Sequence, residues 1–229
     1  MLGSIYKREG KLDRALELFQ QSRNEAQSRG DELGVVNSLN SLVDIFLYFD
    51  TPEYADMYAT EAIDIEKNMS MKNPMVSAQT YINKGRALLM LGEADSVNLY
   101  IEKARKYCQS LPYNSGMVDV DLLHGIYLTE FGSDSLHLGI QELKNVTLQG
   151  TPVNRAKAYH QLAQTYLKAE NIEAADMMLD SMYMLLTKNQ LQLYIDIDYE
   201  PILNYYIKTK NNDKVEQYTK LMFQEEQML

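Results

Sequence analysis

Residues 156–186, AKAYHQLAQTYLKAENIEAADMMLDSMYMLL, contain two helical patterns of similar length on either side of the short segment 168–172. In each pattern, apolar residues recur three and four positions apart, as they do on one face of an α-helix. These residues are Tyr159, Leu162, Ala163 and Tyr166 in the first pattern and Ala175, Leu179 and Met182 in the second. The patterns predict an antiparallel helical hairpin whose helices approach closely where the small Ala163 and Ala175 lie.

A single hairpin of this kind cannot bury its apolar face, so we expect further copies to stack against it. Such copies exist, and the positions equivalent to Ala175 are Ala15, Ala55, Val97, Gly139 and Val215. In chain order these six positions are separated by 40, 42, 42, 36 and 40 residues. We therefore predict about six hairpins, which span approximately residues 1–30, 31–71, 73–110, 115–149, 151–188 and 191–229.

The order of residue types within a copy is large, small, aromatic, turn, small, large. Copy one shows it at Leu2, Gly3, Tyr6, Gly10, Ala15 and Phe19, and copy five at Leu162, Ala163, Tyr166, Glu170, Ala175 and Leu179. This pattern resembles the tetratricopeptide repeat. Most spacings exceed the usual period of about 34 residues, so the resemblance is to the long-repeat branches found in bacterial signalling and kinesin-light-chain-like proteins.

The resemblance implies an all-α fold, a right-handed superhelix that forms one domain over residues 1–229. Leu2 matches the middle of a repeat's first helix, so we expect a truncated first hairpin in a fragment of a longer chain. Copies four and six depart from the pattern, since Gly139 replaces the usual alanine and Leu203 the usual small residue.

Several polar residues and prolines predict where helices begin. The predicted caps are Thr51, Asn73, Ser133, Asn171 and Asn212. Pro201 lies inside the first helix of copy six, so this helix either begins near Glu200 or kinks.

Composition agrees with long helices joined by short connections. The 229 residues include only 11 glycines and 5 prolines, and 45% are hydrophobic. The 32 acidic and 22 basic side chains leave a formal charge of -10 without a dense basic cluster, so we expect no direct binding to nucleic acid. No apolar run approaches the roughly 20 residues of a membrane span, so we expect no membrane insertion by this segment.

Motifs for catalysis, cofactors and metals are absent from the sequence. His124, His137 and His160 have no second histidine or cysteine at the spacing of a zinc site, and the single Cys108 excludes an internal disulfide. Neither a G-x-S-x-G motif nor a glycine-rich phosphate loop occurs. We therefore expect no enzymatic activity, no cofactor and no metal.

In the family that the chain resembles, one edge of each first helix lines a concave groove. Carried over position by position, the candidate ligand-binding residues are Asn37, Asn40, Asp44, Gln79, Arg86, Asp119, Lys157, His160, Gln164 and Asn204. Amides on successive turns can bind the backbone of an extended peptide, and Arg86 and Lys157 can hold a carboxylate. The competing interpretation is that these residues are ordinary solvated helix faces.

The resemblance favours a non-enzymatic scaffold that binds a protein or peptide in this groove. We expect it to be the sensor or interaction region of a bacterial signalling protein, in the periplasm or the cytoplasm. One alternative is a structural module that forms homo-oligomers through its helical ends. Another is a hydrolytic enzyme whose Ser, His and Asp come together from distant repeats.

Overall fold

The computed structural model describes residues 2–189 and 197–226, and these residues contain α-helices, two short 3-10 turns and no strand. The α-helices are α1 (Leu2–Arg8), α2 (Leu12–Ser28), α3 (Glu32–Tyr48), α4 (Pro52–Asn68), α5 (Pro74–Met90), α6 (Ala94–Gln109), α7 (Met117–Phe131), α8 (Leu136–Gln149), α9 (Pro152–Lys168), α10 (Ile172–Asn189), α11 (Glu200–Lys208) and α12 (Asn212–Glu226). The predicted copy six begins at residue 191, and its residues 191–196 and 227–229 lie outside the described ranges.

The helices pack in pairs that form hairpins, from α1 with α2 to α11 with α12. Beyond these pairs, α3 packs on α5, α5 on α7 and α7 on α9, whereas no two even-numbered helices of the described chain pack to a comparable extent. From α3 to α9, the odd-numbered helices are therefore closer together and form the inner side. This arrangement confirms the prediction of an all-α solenoid of stacked hairpins.

The turn inside a hairpin has the same geometry in five copies. One turn residue has a positive φ, and the next residue donates its backbone N–H to the carbonyl five positions before it, over 2.9–3.0 Å. The positive-φ residues are Gly10, Asp50, Gly92, Glu170 and Lys210, and the accepting carbonyls belong to Tyr6, Phe46, Leu88, Tyr166 and Tyr206. This Schellman-type bond ends the first helix and fixes the start of the second.

The fourth hairpin has a different turn, which explains why copy four matches the repeat pattern less well. A 3-10 turn, Ser133–Ser135, follows Gly132, whose φ is -96°. The extra residues place Gly139 eleven positions after Leu128, whereas nine separate Tyr166 from Ala175 in copy five. The glycines at the helix contact, Gly125 and Gly139, let α7 and α8 pack closely.

Gly139→Ala is expected to lower the free energy of unfolding by roughly 1–3 kcal/mol, although alanine in a helix is about 1 kcal/mol more favourable than glycine. A Cβ atom at Gly139 would lie 2.8 Å from Leu128 Cβ and 3.0 Å from the carbonyl oxygen of Gly125, and neither atom can rotate away. Gly85→Ala is the matched control, because its Cβ would meet the flexible end of Leu123. Urea denaturation measures both, and a Gly139→Ala chain as stable as the wild type would contradict this packing.

The predicted helix starts are confirmed in part. Asn73 and Asn171 accept backbone N–H groups from their helices, as predicted. Thr51 makes no cap bond, and its hydroxyl donates instead to the Phe46 carbonyl. Ser133 does not cap α8, which begins at Leu136, and Asn211 rather than Asn212 accepts at the start of α12. No kink occurs at Pro201, because α11 begins at Glu200 and proline fits a first helical turn.

Buried side chains from neighbouring hairpins form the core. Tyr206 and Tyr218 are fully buried in the last two helices, and their hydroxyls donate to Asp176 and to the Leu179 carbonyl over 2.9 and 2.7 Å. Leu203, which replaces the small residue of the repeat pattern, is half-buried and packs against the same cluster. Within the described ranges, no helix has the length and hydropathy required to cross a bilayer.

Candidate binding groove

A groove of about 590 Å³ lies along the inner side, between α1, α3, α5, α7 and α9. Its apolar part comes from one edge of successive odd-numbered helices and includes Leu47, Leu89 and Met90, Ile82, Leu122, Leu123, Ile126 and Val153. Its polar part comprises Lys7, Asp44, Tyr48, Gln79, Arg86, Asp119, Glu130, Asn154, Lys157, His160 and Gln161. The groove thus combines an apolar floor with charged and hydrogen-bonding side chains.

Six of the ten candidate residues line this groove, namely Asp44, Gln79, Arg86, Asp119, Lys157 and His160. The other four lie elsewhere. Asn37 and Asn204 are exposed outside the groove, Gln164 is half-buried beside His160, and Asn40 is buried. The role of the six residues in binding remains a prediction.

Asn40 is only 7% exposed and faces the core between α3 and α5 rather than the groove. Its side-chain Nδ2 donates to Thr80 Oγ1 over 2.9 Å, and its Oδ1 accepts from Asn83 Nδ2 over 3.3 Å. The inner helices are close enough for Asn40 to find partners on α5, which keeps it satisfied away from water.

One end of the groove carries a net positive charge. Lys7 Nζ lies 2.9 Å from Asp44 Oδ2, and Arg86 Nη1 lies 2.7 Å from Asp44 Oδ1. Burial alone would raise the pKa of Asp44, but the two cations outweigh burial and hold this pKa well below its usual range. Two cations around one carboxylate leave a formal charge of +1 at this cationic end, which consists of Lys7, Asp44 and Arg86.

The opposite end carries more acidic side chains. Asp119, in the first turn of α7, accepts a hydrogen bond from Asn154 Nδ2 over 3.0 Å, and Glu130 lines the groove in the last turn of the same helix. Burial raises the pKa of Glu130, with Lys168 and Gln161 opposing this shift. With Lys157, this acidic end has a formal charge of -1, so the groove sums to zero while the whole chain carries -10.

His160 connects the acidic end of the groove to the segment before α11. Its Nε2 lies 3.2 Å from the Asp198 carbonyl oxygen and 3.2 Å from Gln164 Nε2. Burial lowers the pKa of His160, and the Asp198 carbonyl and carboxylate oppose this change. The depressed pKa favours a neutral imidazole at neutral pH.

Lys7, Tyr48, Met90 and Glu130 line the groove but were not among the candidates. The repeat pattern could have identified Lys7 as a groove residue, because Lys7 occupies in α1 the position that Leu47 occupies in α3. Tyr48, Met90 and Glu130 each lie one residue beyond that position in their helices, so the groove extends further around each helix end than the repeat pattern predicts.

Two further observations concern reactive groups. Across residues 2–189 and 197–226, no three His, Cys, Asp or Glu side chains are placed to hold a metal ion. Cys108 is buried beneath the turn before α7, and burial raises the pKa of its thiol, with Asp119 and Asp121 adding to the shift. A buried thiol of raised pKa is a poor nucleophile.

The fold and the groove define a class of protein, the all-α solenoid of helical hairpins with a groove on its inner side. No protein-family model matches the sequence, and no curated protein does. Among solved structures, the chain is similar to the crystal structure of BtubC (BKLC) from P. vanneervenii, with a TM-score of 0.56 and 13% sequence identity. The match covers 95% of this chain and 90% of that one, and at this identity it concerns the fold alone.

Proposed function

We propose that the chain is a tetratricopeptide-type scaffold that binds an extended segment of another protein in the inner groove, without catalysing a reaction. The observation that carries this proposal is an apolar floor between two ends of opposite charge. An extended peptide can place alternate side chains on such a floor while its polar groups meet the walls.

The charge distribution favours one orientation of the bound segment. An acidic side chain of the peptide is attracted to the cationic end, where Arg86 has guanidinium nitrogens besides the Nη1 that contacts Asp44. A basic side chain is attracted to Asp119 or to Glu130 at the acidic end. Because the groove sums to zero charge, complementarity along its length, rather than net charge, selects the partner.

The setting that we propose follows from the resemblance of the repeats. The chain would serve as the interaction or sensor region of a bacterial signalling protein, and the partner would be a protein segment. The similarity to BtubC supports the helical-repeat fold on which this proposal depends and nothing more specific.

Selection from a random-peptide display library tests the proposal. Wild-type chain is expected to enrich peptides in which apolar residues separate an acidic residue from a basic one, in either order. Arg86→Ala is expected to weaken binding of these peptides by about tenfold to a hundredfold, because a charge-assisted hydrogen bond contributes roughly 1.5–3 kcal/mol. Titration calorimetry measures the affinities.

The matched control is Lys67→Ala. Lys67 is exposed and pairs with Asp64 one turn away in its own helix, so the control has the same charge change away from the groove. Equal affinity of the groove variant and the wild type would refute the groove assignment. Failure of the folded wild type to enrich any peptide would refute peptide binding.

A further inference from the structure

A continuous chain of hydrogen bonds runs from the cationic end of the groove to a buried carboxyl group in α4. Gln79 Nε2 and Arg86 Nη1 both donate to Asn83 Oδ1, over 2.9 and 3.3 Å. Asn83 Nδ2 donates to Asn40 Oδ1 over 3.3 Å. Asn40 Nδ2 donates to Thr80 Oγ1 over 2.9 Å, and Thr80 Oγ1 lies 3.2 Å from Glu66 Oε1. We call these six residues the relay.

Every bond of the relay has the same direction. Each amide accepts through its oxygen on the groove side and donates through its nitrogen on the Glu66 side, so the relay leads from a cation to a carboxylate. Hydrogen bonds aligned in this way polarise one another and strengthen an anion at the accepting end. Asn40, Asn83 and Thr80 are buried, so little water competes with them.

Glu66 is an unusual end point for such a chain, because it is only 2% exposed. Among the described residues, its Oε2 has no hydrogen-bond partner. Burial raises its pKa, while Ser77, Thr80 and the charge of Lys72 oppose the shift. Tyr81 on α5 is the other titratable group that interacts with it, and burial, together with Tyr107 and Glu66, raises the pKa of Tyr81 to about 12.

Thr80 allows both charge states of Glu66 to be accommodated. Its hydroxyl oxygen lies 3.2 Å from Glu66 Oε1 and 3.0 Å from the Val76 carbonyl oxygen. With Glu66 ionised, the hydroxyl proton points to the carboxylate. With Glu66 protonated, the carboxyl donates to Thr80 Oγ1 and the Thr80 proton points to Val76, so no polar atom of the pair loses a partner.

We infer that the relay couples the occupancy of the groove to the protonation of Glu66. A ligand that draws Gln79 Nε2 or Arg86 Nη1 away from Asn83 Oδ1 removes a donor from the relay, and this weakens the stabilisation of the Glu66 carboxylate. By thermodynamic linkage, protonation of Glu66 strengthens binding of the same ligand. The consequence for binding rests on the proposed function, whereas the relay itself does not.

NMR titration of the Glu66 side-chain carboxyl carbon tests the coupling in the free protein, with Glu66→Gln used to assign the signal. Gln79→Met removes the shortest donor to Asn83 without a change in charge, and it is expected to shift the titration midpoint of Glu66 to higher pH. Gln164→Met removes an amide that lies outside the relay, and it is expected to leave the midpoint unchanged.

A double-mutant cycle separates the relay from effects through space. Thr80→Val removes the last hydroxyl, so Gln79→Met is expected to cause no further shift in a Thr80→Val background. An unchanged midpoint in Gln79→Met, or the full shift retained with Thr80→Val, would overturn the inference. If Thr80→Val does not fold, Arg86→Gln is compared with Lys7→Gln, and the inference requires the larger upward shift for Arg86→Gln.

The titration uses no peptide, so its result does not depend on whether the groove binds one. Peptides from the display selection then test the linkage, and they are expected to bind more tightly as Glu66 becomes protonated, with this dependence lost in Glu66→Gln. A relay seen by NMR together with failed peptide selection would refute the proposed function alone. An absent relay together with groove-dependent peptide binding would refute the coupling alone.

Discussion

Leu162→Ala is expected to lower the free energy of unfolding by about 2–5 kcal/mol, the usual range for a leucine truncated in a core. Leu162 in α9 is fully buried, and its cluster includes Leu122 of α7 and Leu143 and Val146 of α8. The side chain therefore fills the interface between the fourth and fifth hairpins. Because a hairpin of a solenoid depends on its neighbours for burial, the cavity weakens an interface as well as a helix.

Urea denaturation followed by circular dichroism measures this loss. Leu148→Ala is the matched control, because it removes the same atoms from a side chain that is 80% exposed, and its effect is expected to stay within about 0.5 kcal/mol. Similar losses for the two variants would show that the hairpins do not share the core described above.

Asp44→Asn is expected to lower the free energy of unfolding at pH 7 by roughly 1–3 kcal/mol, about the contribution of a hydrogen bond to a charged group. The substitution keeps the shape of the side chain but leaves Lys7 and Arg86 without the carboxylate that separates them. Solvent weakens these two ion pairs, because 29% of the Asp44 side chain is exposed.

The pH dependence gives a second measure of the same contact. The two cations hold the pKa of Asp44 below its unfolded value of about 3.9, so its contribution is present above that pH and is lost as pH falls toward the folded-state pKa. Asp44→Asn should therefore lose more stability at pH 7 than in acid. Asp64→Asn, whose exposed pair with Lys67 lies within one helix, is the control and should show neither effect. If the free energy of unfolding of Asp44→Asn falls in acid as steeply as that of the wild type, Asp44 does not form the stabilising contact described here.

The candidate groove residues show what a repeat pattern can predict and what it cannot. Arg86 and His160 both line the groove, because periodicity determines which edge of a helix faces away from its hairpin partner. Asn40 has the same periodicity, yet it lies in the core, because α5 approaches α3 closely enough to cover it. The distance between neighbouring inner helices is a tertiary property and does not appear in the pattern of one helix.

The turn in copy four shows the same limit. Glycine at position 139 was visible as a departure from the pattern, but the sequence did not reveal that a 3-10 turn places the second helix two positions later than in the other copies.

Several assignments remain predictions, namely the tetratricopeptide family itself, the single domain over residues 1–229 and the compartment. Homo-oligomerisation as the alternative function is likewise still a prediction.

The sequence by itself determined the all-α hairpins, their number and the small residues at their contacts, because these depend on apolar spacing within about 40 residues. Only the tertiary structure decided which polar residues face the groove and which pair in the core. The reason is that Lys7, Asp44 and Arg86, or Asn40, Thr80 and Glu66, belong to different hairpins, and their contacts exist only after the hairpins have stacked.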